Sequence, residues 1–266
     1  MNDISDHEFG QFQRFIHEMA GIHLSDAKKA LVSGRLAKRL HHCKLKSYGD
    51  YLRLLRSGSA QDEVQTAIDL LTTNETYFFR EPRHFDALQR CALDGAHDGA
   101  PFRVWSAASS SGEEAYSIAM VLADCLDGRA WEVLGSDIST RVLDKARTGH
   151  YPLERTEHIP RHFLQRYCLK GIDDQHGSLL IERSLRQKVQ FVQVNLNTPL
   201  PKLGPFDVIF LRNVMIYFNG ETKRQVITRV LGQLKSGGQL YIGHAESLHG
   251  VSEAVRAVAP SIYIKP

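Results

Sequence analysis

A chain of 266 residues, 42% hydrophobic and 24% charged, can bury a good core and has room for one large domain plus a small one. Its net charge of +3 is too small to imply nucleic acid, and no apolar run reaches membrane-spanning length, so neither nucleic-acid binding nor direct membrane insertion is expected. The polar start Met1-Asn2-Asp3-Ile4-Ser5-Asp6 is wrong for a signal peptide, and Cys43, Cys91, Cys125 and Cys168 lie far apart without a Cys-x-x-Cys pair. A cytoplasmic protein with neither a disulfide framework nor a zinc site is predicted.

Residues 6–83 read as almost entirely helical. Phe9, Phe12, Phe15, Ile16 and Met19 form one apolar stripe and Leu31, Leu36 and Leu40 another. Tyr51, Leu54 and Leu55 precede a turn at 57–59, and a further short helix covers 64–71. Arg35, Lys38, Arg39 and His42 recur at three- and four-residue spacing opposite the leucines and make one positive face, either a solvated surface or a dock for an acidic macromolecular partner. The segment Leu71-Thr72-Thr73-Asn74-Glu75-Thr76-Tyr77-Phe78-Phe79-Arg80-Glu81-Pro82 gathers small polar groups, three aromatics and an arginine at the join of two expected domains, 1–83 and 84–266. The aromatics read as core and Arg80 as functional.

Beyond Pro82 strands and helices alternate, beginning with a strand, a loop of small residues and a helix across 103–126. Ala107 to Gly112 have almost no side-chain bulk, so their backbone can approach a nucleotide cofactor, and the N–H groups of the following helix are free donors. Ser111-x-x-Glu114 also reads as a capping box. The strand over 131–136 ends in Asp137, placed to accept hydrogen bonds from a ribose or simply to turn the chain. Residues 151–188 break the rhythm with Pro152, Pro160 and a turn at 171–177, and read as a small inserted subdomain. Strands follow over 189–194 and 206–211, then Arg212-Asn213-Val214-Met215-Ile216-Tyr217-Phe218 at a strand's carboxyl end, where such sheets place ligands. A helix over 221–235, stopped by Gly237-Gly238, and strands over 239–243 and 261–265 complete the chain. His244, Glu246 and His249 read as ordinary loop polars rather than metal ligands.

Together these stretches resemble the chemoreceptor glutamate methyltransferases of bacterial chemotaxis, the CheR family. The resemblance is carried, in order along nearly the whole chain, by Leu71 to Glu81, Val104-Trp105-Ser106-Ala107-Ala108, Ser111-Gly112-Glu113-Glu114, Ser136-Asp137-Ile138, Val194-Asn195-Leu196 and Arg212 to Phe218. The cradle departs from the family in carrying Ser111 where Thr is frequent and Ala115 where Pro is usual. The resemblance implies an α/β class I S-adenosylmethionine-dependent methyltransferase domain, Rossmann-like, with a small inserted β-subdomain and an all-helical domain before it. It implies that S-adenosylmethionine, and the product S-adenosylhomocysteine, are held by Asn74, Thr76, Arg80, Glu114, Asp137, Asn195, Leu196, Arg212 and Asn213, with Arg80 and Tyr217 facing the reacting centre. The partners implied are the cytoplasmic domains of methyl-accepting chemoreceptors, and in some members a receptor C-terminal peptide added as a strand to the β-subdomain. A methyltransferase acting on base amino groups would carry an Asn/Asp-Pro-Pro-aromatic motif where this chain has Arg212-Asn213-Val214-Met215. A nicotinamide oxidoreductase would carry the missing glycine fingerprint.

Overall fold

Alternating strands and amphipathic helices build one large sheet in the computed structural model, which describes residues 3–95 and 99–266; Met1 and Asn2 of the polar start lie outside them. The strands are β1 (Phe102–Ser106), β2 (Trp131–Asp137), β3 (His150–Pro152), β4 (Cys168–Lys170), β5 (Ser178–Ile181), β6 (Val189–Gln193), β7 (Phe206–Leu211), β8 (Leu234–Ile242), β9 (Arg256–Ala259) and β10 (Ile262–Ile264). The helices are α1 (Asp6–Ala20), α2 (Lys29–His42), α3 (Tyr48–Arg56), α4 (Gln61–Leu71), α5 (Arg83–Gly95), α6 (Glu113–Cys125), α7 (Thr140–Thr148), α8 (Arg161–Tyr167), α9 (Arg183–Arg186) and α10 (Gly220–Leu231). The large sheet has the order β6-β2-β1-β7-β8-β10-β9, while β3-β5-β4 form a separate antiparallel sheet in the insertion.

From β6 to β8 the strands are parallel, and Val104 at the centre pairs in register with Val133 on one side and Val208 on the other. The chain winds outward from β1 through β2 to β6, then returns to the far side of β1 as β7. Strand order therefore reverses between β1 and β7, and the crevice at their carboxyl ends is where open parallel sheets bind ligands. Buried β-branched and aromatic residues favour these strands, and Trp105, the largest fully buried side chain, satisfies its indole N–H on Ser136 Oγ at 2.9 Å.

Both faces of the sheet are covered. One core joins Trp105, Ile209 and Leu211 of the sheet to α10 and to the apolar stripes of α1 to α4; the other joins Val104, Phe210 and Tyr241 to α5, α6 and the insertion. In α2 the buried stripe is Val32, Leu36 and Leu40 at four-residue spacing, and Leu31 points outward instead, because it sits about a quarter turn from that stripe. The sequence reading ran directly from Pro82 to the cofactor cradle, but α5 intervenes, burying Phe85, Leu88 and Ala92. Helix α10 stops at Leu231, and Gly237-Gly238 lie inside β8 rather than ending a helix, where the register with β7 shifts. The short strand β9, exposed along its whole length, left no alternation to read.

A buried carboxylate helps tie the helical part to the helix after β2. Ser139, at the N-cap of α7, makes no side-chain cap, and Asp69 of α4 caps the helix from outside: its Oδ2 accepts from Thr140 Oγ1 at 3.0 Å and from Arg141 N at 3.4 Å, while Arg141 Nη2 donates to the Asp69 carbonyl at 3.2 Å. Asp69 is buried, so removing it strands these donors. Asp69→Ala is expected to destabilise the protein by about 1–3 kcal/mol, measured by urea unfolding; a midpoint equal to wild type would show the cap to be dispensable.

Candidate active site

A cavity of about 440 Å³ opens between the helical part and the carboxyl edge of the sheet. All ten residues assigned to cofactor and reacting centre from the sequence line it: Asn74, Thr76, Arg80, Glu114, Asp137, Asn195, Leu196, Arg212, Asn213 and Tyr217. They arrive there because the loops after β1, β2, β6 and β7 converge on the switch point, while the 72–82 segment closes over them.

The cradle after β1 is built by close backbone approach. Ser110 (φ 49°) and Gly112 (φ 96°) both lie in the left-handed region, and a Cβ on Gly112 would meet the Ala146 Cβ and Tyr151 hydroxyl at 2.9 Å. The capping box expected from Ser111 and Glu114 does not form: Ser111 Oγ donates to Glu113, and the helix starts from Gly112 without a side-chain cap. Glu113 is buried and paired with Arg155 of the insertion at 3.2 Å, and Arg155 also donates to the Thr76 carbonyl at 3.0 Å. Asp137 organises the turn as well as facing the cavity: its oxygens accept from Ser110 N and Ser139 N, each at 3.0 Å. Burial holds its pKa above the ordinary carboxylate value, with those backbone donors opposing part of the rise.

Behind the cradle lies a buried charge cluster. The Arg212 guanidinium stands 3.0 Å from Glu114 Oε2 and 3.0 Å from Glu81 Oε2, and donates to the Arg80 carbonyl at 2.5 Å. Glu114 takes a further hydrogen bond from Ser106 Oγ at 2.7 Å; burial raises its pKa, and Arg212 is the largest opposing influence. The Nε–H of Arg212 is a buried donor in the cavity wall with no partner in the protein.

Arg80 sits between Phe79 (φ 55°) and Glu81 (φ 60°), both in a conformation that non-glycine residues rarely adopt and that clusters at functional sites. It is not Glu81's partner: Nη2 donates to Asn213 Oδ1 at 2.9 Å and Nη1 to the Glu75 carbonyl at 3.2 Å. Phe78 and Phe79 are core, Phe79 stacking on Phe163 at 5.2 Å. Tyr77, also expected in the core, is exposed at the cavity rim instead, resting on His158 at 4.8 Å with Arg80 Cζ 5.7 Å from its ring. Tyr217 is half-buried; burial raises its hydroxyl pKa and the nearby charge of Arg80 opposes that rise. Asn195 is the exception among the wall residues, since its side chain is spent on α1: Nδ2 donates to the Met19 carbonyl at 2.6 Å and Oδ1 accepts from Asn197 N.

Two family models match in tandem, the CheR methyltransferase all-alpha domain over residues 7–72 and the CheR methyltransferase SAM binding domain over residues 74–264. The chain belongs to the CheR methyltransferase family. It is 40% identical to the chemotaxis protein methyltransferase of Escherichia coli over 98% of this chain and 91% of that protein. It is 38% identical to chemotaxis protein methyltransferase 2 of Pseudomonas aeruginosa over 96% of this chain and 92% of that protein. As a CheR methyltransferase it uses S-adenosylmethionine, and the cavity fits that molecule: its volume is in the range of small-molecule sites, small side chains line the cradle, and the Asp137 carboxylate lines it at the end of β2.

Within this CheR fold the positive face of α2 is not one free surface. Arg35 Nη1 donates to the Leu70 and Thr72 carbonyls at 3.1 and 3.0 Å, closing the end of α4. Arg39 forms a two-pronged pair with Glu63 at 2.9 and 2.5 Å. Both arginines are turned toward α4 because that helix ends in bare carbonyls and carries a partly buried carboxylate; Lys38 and His42 remain exposed.

Around His244 the sequence showed no ligand cluster, yet folding brings Glu81 and His84 to it, with ligand atoms within 4.8 Å of one another. Arg212 already supplies the cation for Glu81, and burial lowers the His84 pKa to about 4, keeping the ring neutral. The residue that sequence reasoning missed is Glu246. Its carboxylate accepts four backbone N–H bonds, from Asn213 at 2.9 Å, Gly243 at 2.7 Å, Met215 at 2.8 Å and Ile216 at 3.3 Å. This clamp fixes the loop that carries Arg212, Asn213 and Tyr217, with Asn213 in the left-handed region (φ 56°). An acid just past a strand end on the ligand-binding edge was the available signal.

Glu246→Gln keeps the shape but replaces one acceptor oxygen by a donor. It is expected to lower kcat/KM by about tenfold or more, through both a raised KM for S-adenosylmethionine and a lowered kcat. Steady-state kinetics matching wild type would show that the clamp does not set the loop.

Proposed function

We propose that this chain transfers the methyl group of S-adenosylmethionine to glutamate side-chain carboxylates on the cytoplasmic domains of bacterial chemoreceptors, giving glutamate methyl esters. The observation that carries the reading is that Arg80 and Tyr217, from the 72–82 segment and the loop after β7, line one cavity at the carboxyl edge of the sheet. Two hydrogen-bond donors of this kind suit a carboxylate acceptor, and the curated relatives are named as methyltransferases of chemotaxis proteins.

The chemistry asks little of a base. A glutamate carboxyl with a reference pKa of about 4.3 is ionised at neutral pH and already nucleophilic. Bound S-adenosylmethionine supplies a methyl group activated by a sulfonium. Arg80, with donors left over after Asn213 and Glu75, orients the acceptor carboxylate, and Tyr217 shares it through its hydroxyl. Asp137 accepts from the ribose hydroxyls; Asn74, Thr76, Glu114, Leu196, Arg212 and Asn213 shape the rest of the wall, with Asn195 contributing by holding α1 against it. A carboxylate oxygen–methyl bond forms as the sulfur–methyl bond breaks, and no proton need move.

The helical part, 1–83, supplies the receptor-facing side through Lys38 and His42, while Arg35 and Arg39 are engaged by α4. The sheet-bearing part, 84–266, supplies the chemistry. In the insertion, about 151–188, β4 leaves a free strand edge beside the exposed Leu169 and Ile172, which supports addition of a receptor C-terminal peptide as a further strand. Asp173 and Asp174 place negative charge at that turn and weaken capture of a terminal carboxylate.

Incubation with labelled S-adenosylmethionine and receptor cytoplasmic fragments, followed by base, is expected to release labelled methanol, as methyl esters do and N-methyl groups do not. Base-stable label would overturn the carboxylate reading. Asp137→Ala should weaken S-adenosylhomocysteine binding by about 10- to 100-fold by calorimetry, and unchanged affinity would remove the ribose role. Arg80→Ala should lose far more turnover than cofactor affinity; equal losses would make Arg80 a cofactor clamp.

A further inference from the structure

Seven large apolar side chains stand exposed among the described residues, and three of them, Leu31 (38%), Tyr77 (41%) and Ile216 (54%), line the cavity that holds the candidate site. They come from three separate elements: α2, the 72–82 segment and the short 3-10 turn after β7. Being both exposed and lining, they mark the mouth. Exposed apolar groups scattered singly need no explanation, but gathered at one opening they are a contact surface.

The lip is held firmly. Tyr77 rests between His158 and Arg80, and the backbone of Ile216 is bound by the Glu246 clamp. Leu31 lies on the same side of α2 as the exposed Lys38 and His42, with Arg35 between them turned to the end of α4. The exposed Lys28 and the half-buried Arg80 line the same cavity, against Glu75 as its exposed carboxylate. Cations at the centre of an apolar rim complement an anionic side chain with apolar neighbours.

We propose that Leu31, Tyr77 and Ile216 form a specificity lip that reads the residues flanking the acceptor glutamate and selects carboxylates set among apolar side chains; this rests on the protein-glutamate reading above. Apolar neighbours covering the lip expel water from around Arg80 and Tyr217. A carboxylate stripped of water there is a stronger nucleophile, whereas a glutamate in a polar loop leaves the mouth wet.

The test is a double-mutant cycle using a receptor cytoplasmic fragment as methyl acceptor. Leu31→Ser and Ile216→Ser change exposed side chains. Each is expected to lower kcat/KM for the fragment by about tenfold, with the calorimetric affinity for S-adenosylhomocysteine unchanged. Replacing the apolar neighbours of a methylated glutamate by serine should lower wild-type kcat/KM by a similar factor, and the losses should not multiply when both partners are changed. Variants within twofold of wild type, or losses that multiply fully, overturn the lip while leaving the glutamate reading intact. A wild-type protein that esterifies no glutamate of the fragment overturns that reading and the lip with it.

Discussion

The site depends on the burial of one positive charge. Arg212 is nearly sealed from solvent, and a guanidinium in that position is tolerable only with carboxylates against it. Glu114 comes from the helix that follows the cradle and Glu81 from the segment that follows the helical part, so charge compensation forces three distant stretches of chain into contact. The Arg80 carbonyl accepts from the same guanidinium, which fixes the backbone turn from which the Arg80 side chain reaches the opposite wall. Removing either carboxylate would leave the buried guanidinium resting on a single partner, a larger penalty than losing a surface ion pair.

Around that cluster, polar side chains are used mainly to hold backbone. Glu246 fastens the loop after β7, Asp137 the cradle and the turn after β2, and Asn195 the end of α1. In a cavity bounded by loops this is how precision is obtained: buried apolar residues such as Leu196, Met215 and Phe218 anchor the loops to the core, and carboxylates and amides bound to backbone N–H groups fix their conformation. The side chains left facing the cavity then meet a bound molecule without first having to be ordered.

What could be read from the sequence follows from how local the signals are. Strand β7 was legible to the residue, being a buried parallel strand with a continuous apolar run, and the cradle was legible because small residues between a strand and a helix have few other uses. The cavity wall was legible through its motifs, residue by residue. What escaped depended on partners far along the chain. Nothing local to Arg35 and Arg39 tells that α4 will present bare carbonyls and Glu63 to them. Tyr77 reads as one of three equivalent aromatics, although only Phe78 and Phe79 enter the core. Glu246 looked like an ordinary loop acid because three of its four donors lie in the loop after β7, some thirty residues away, and only Gly243 in its own loop.

The trans cap made by Asp69 bears on modularity. Helix α7 begins immediately after the Asp137 turn, and its first donors are met by α4 rather than by its own N-cap. The apolar stripes of α1 to α4 likewise share a core with one face of the sheet. Neither part is therefore a self-sufficient cassette: severed from the helices, the sheet would keep its strand order but lose both a lining of its cavity and the anchor of the adjoining turn. Exchanging the helical part between relatives would thus transplant a wall of the cofactor cavity with it, so cofactor binding would change along with whatever else the helices carry.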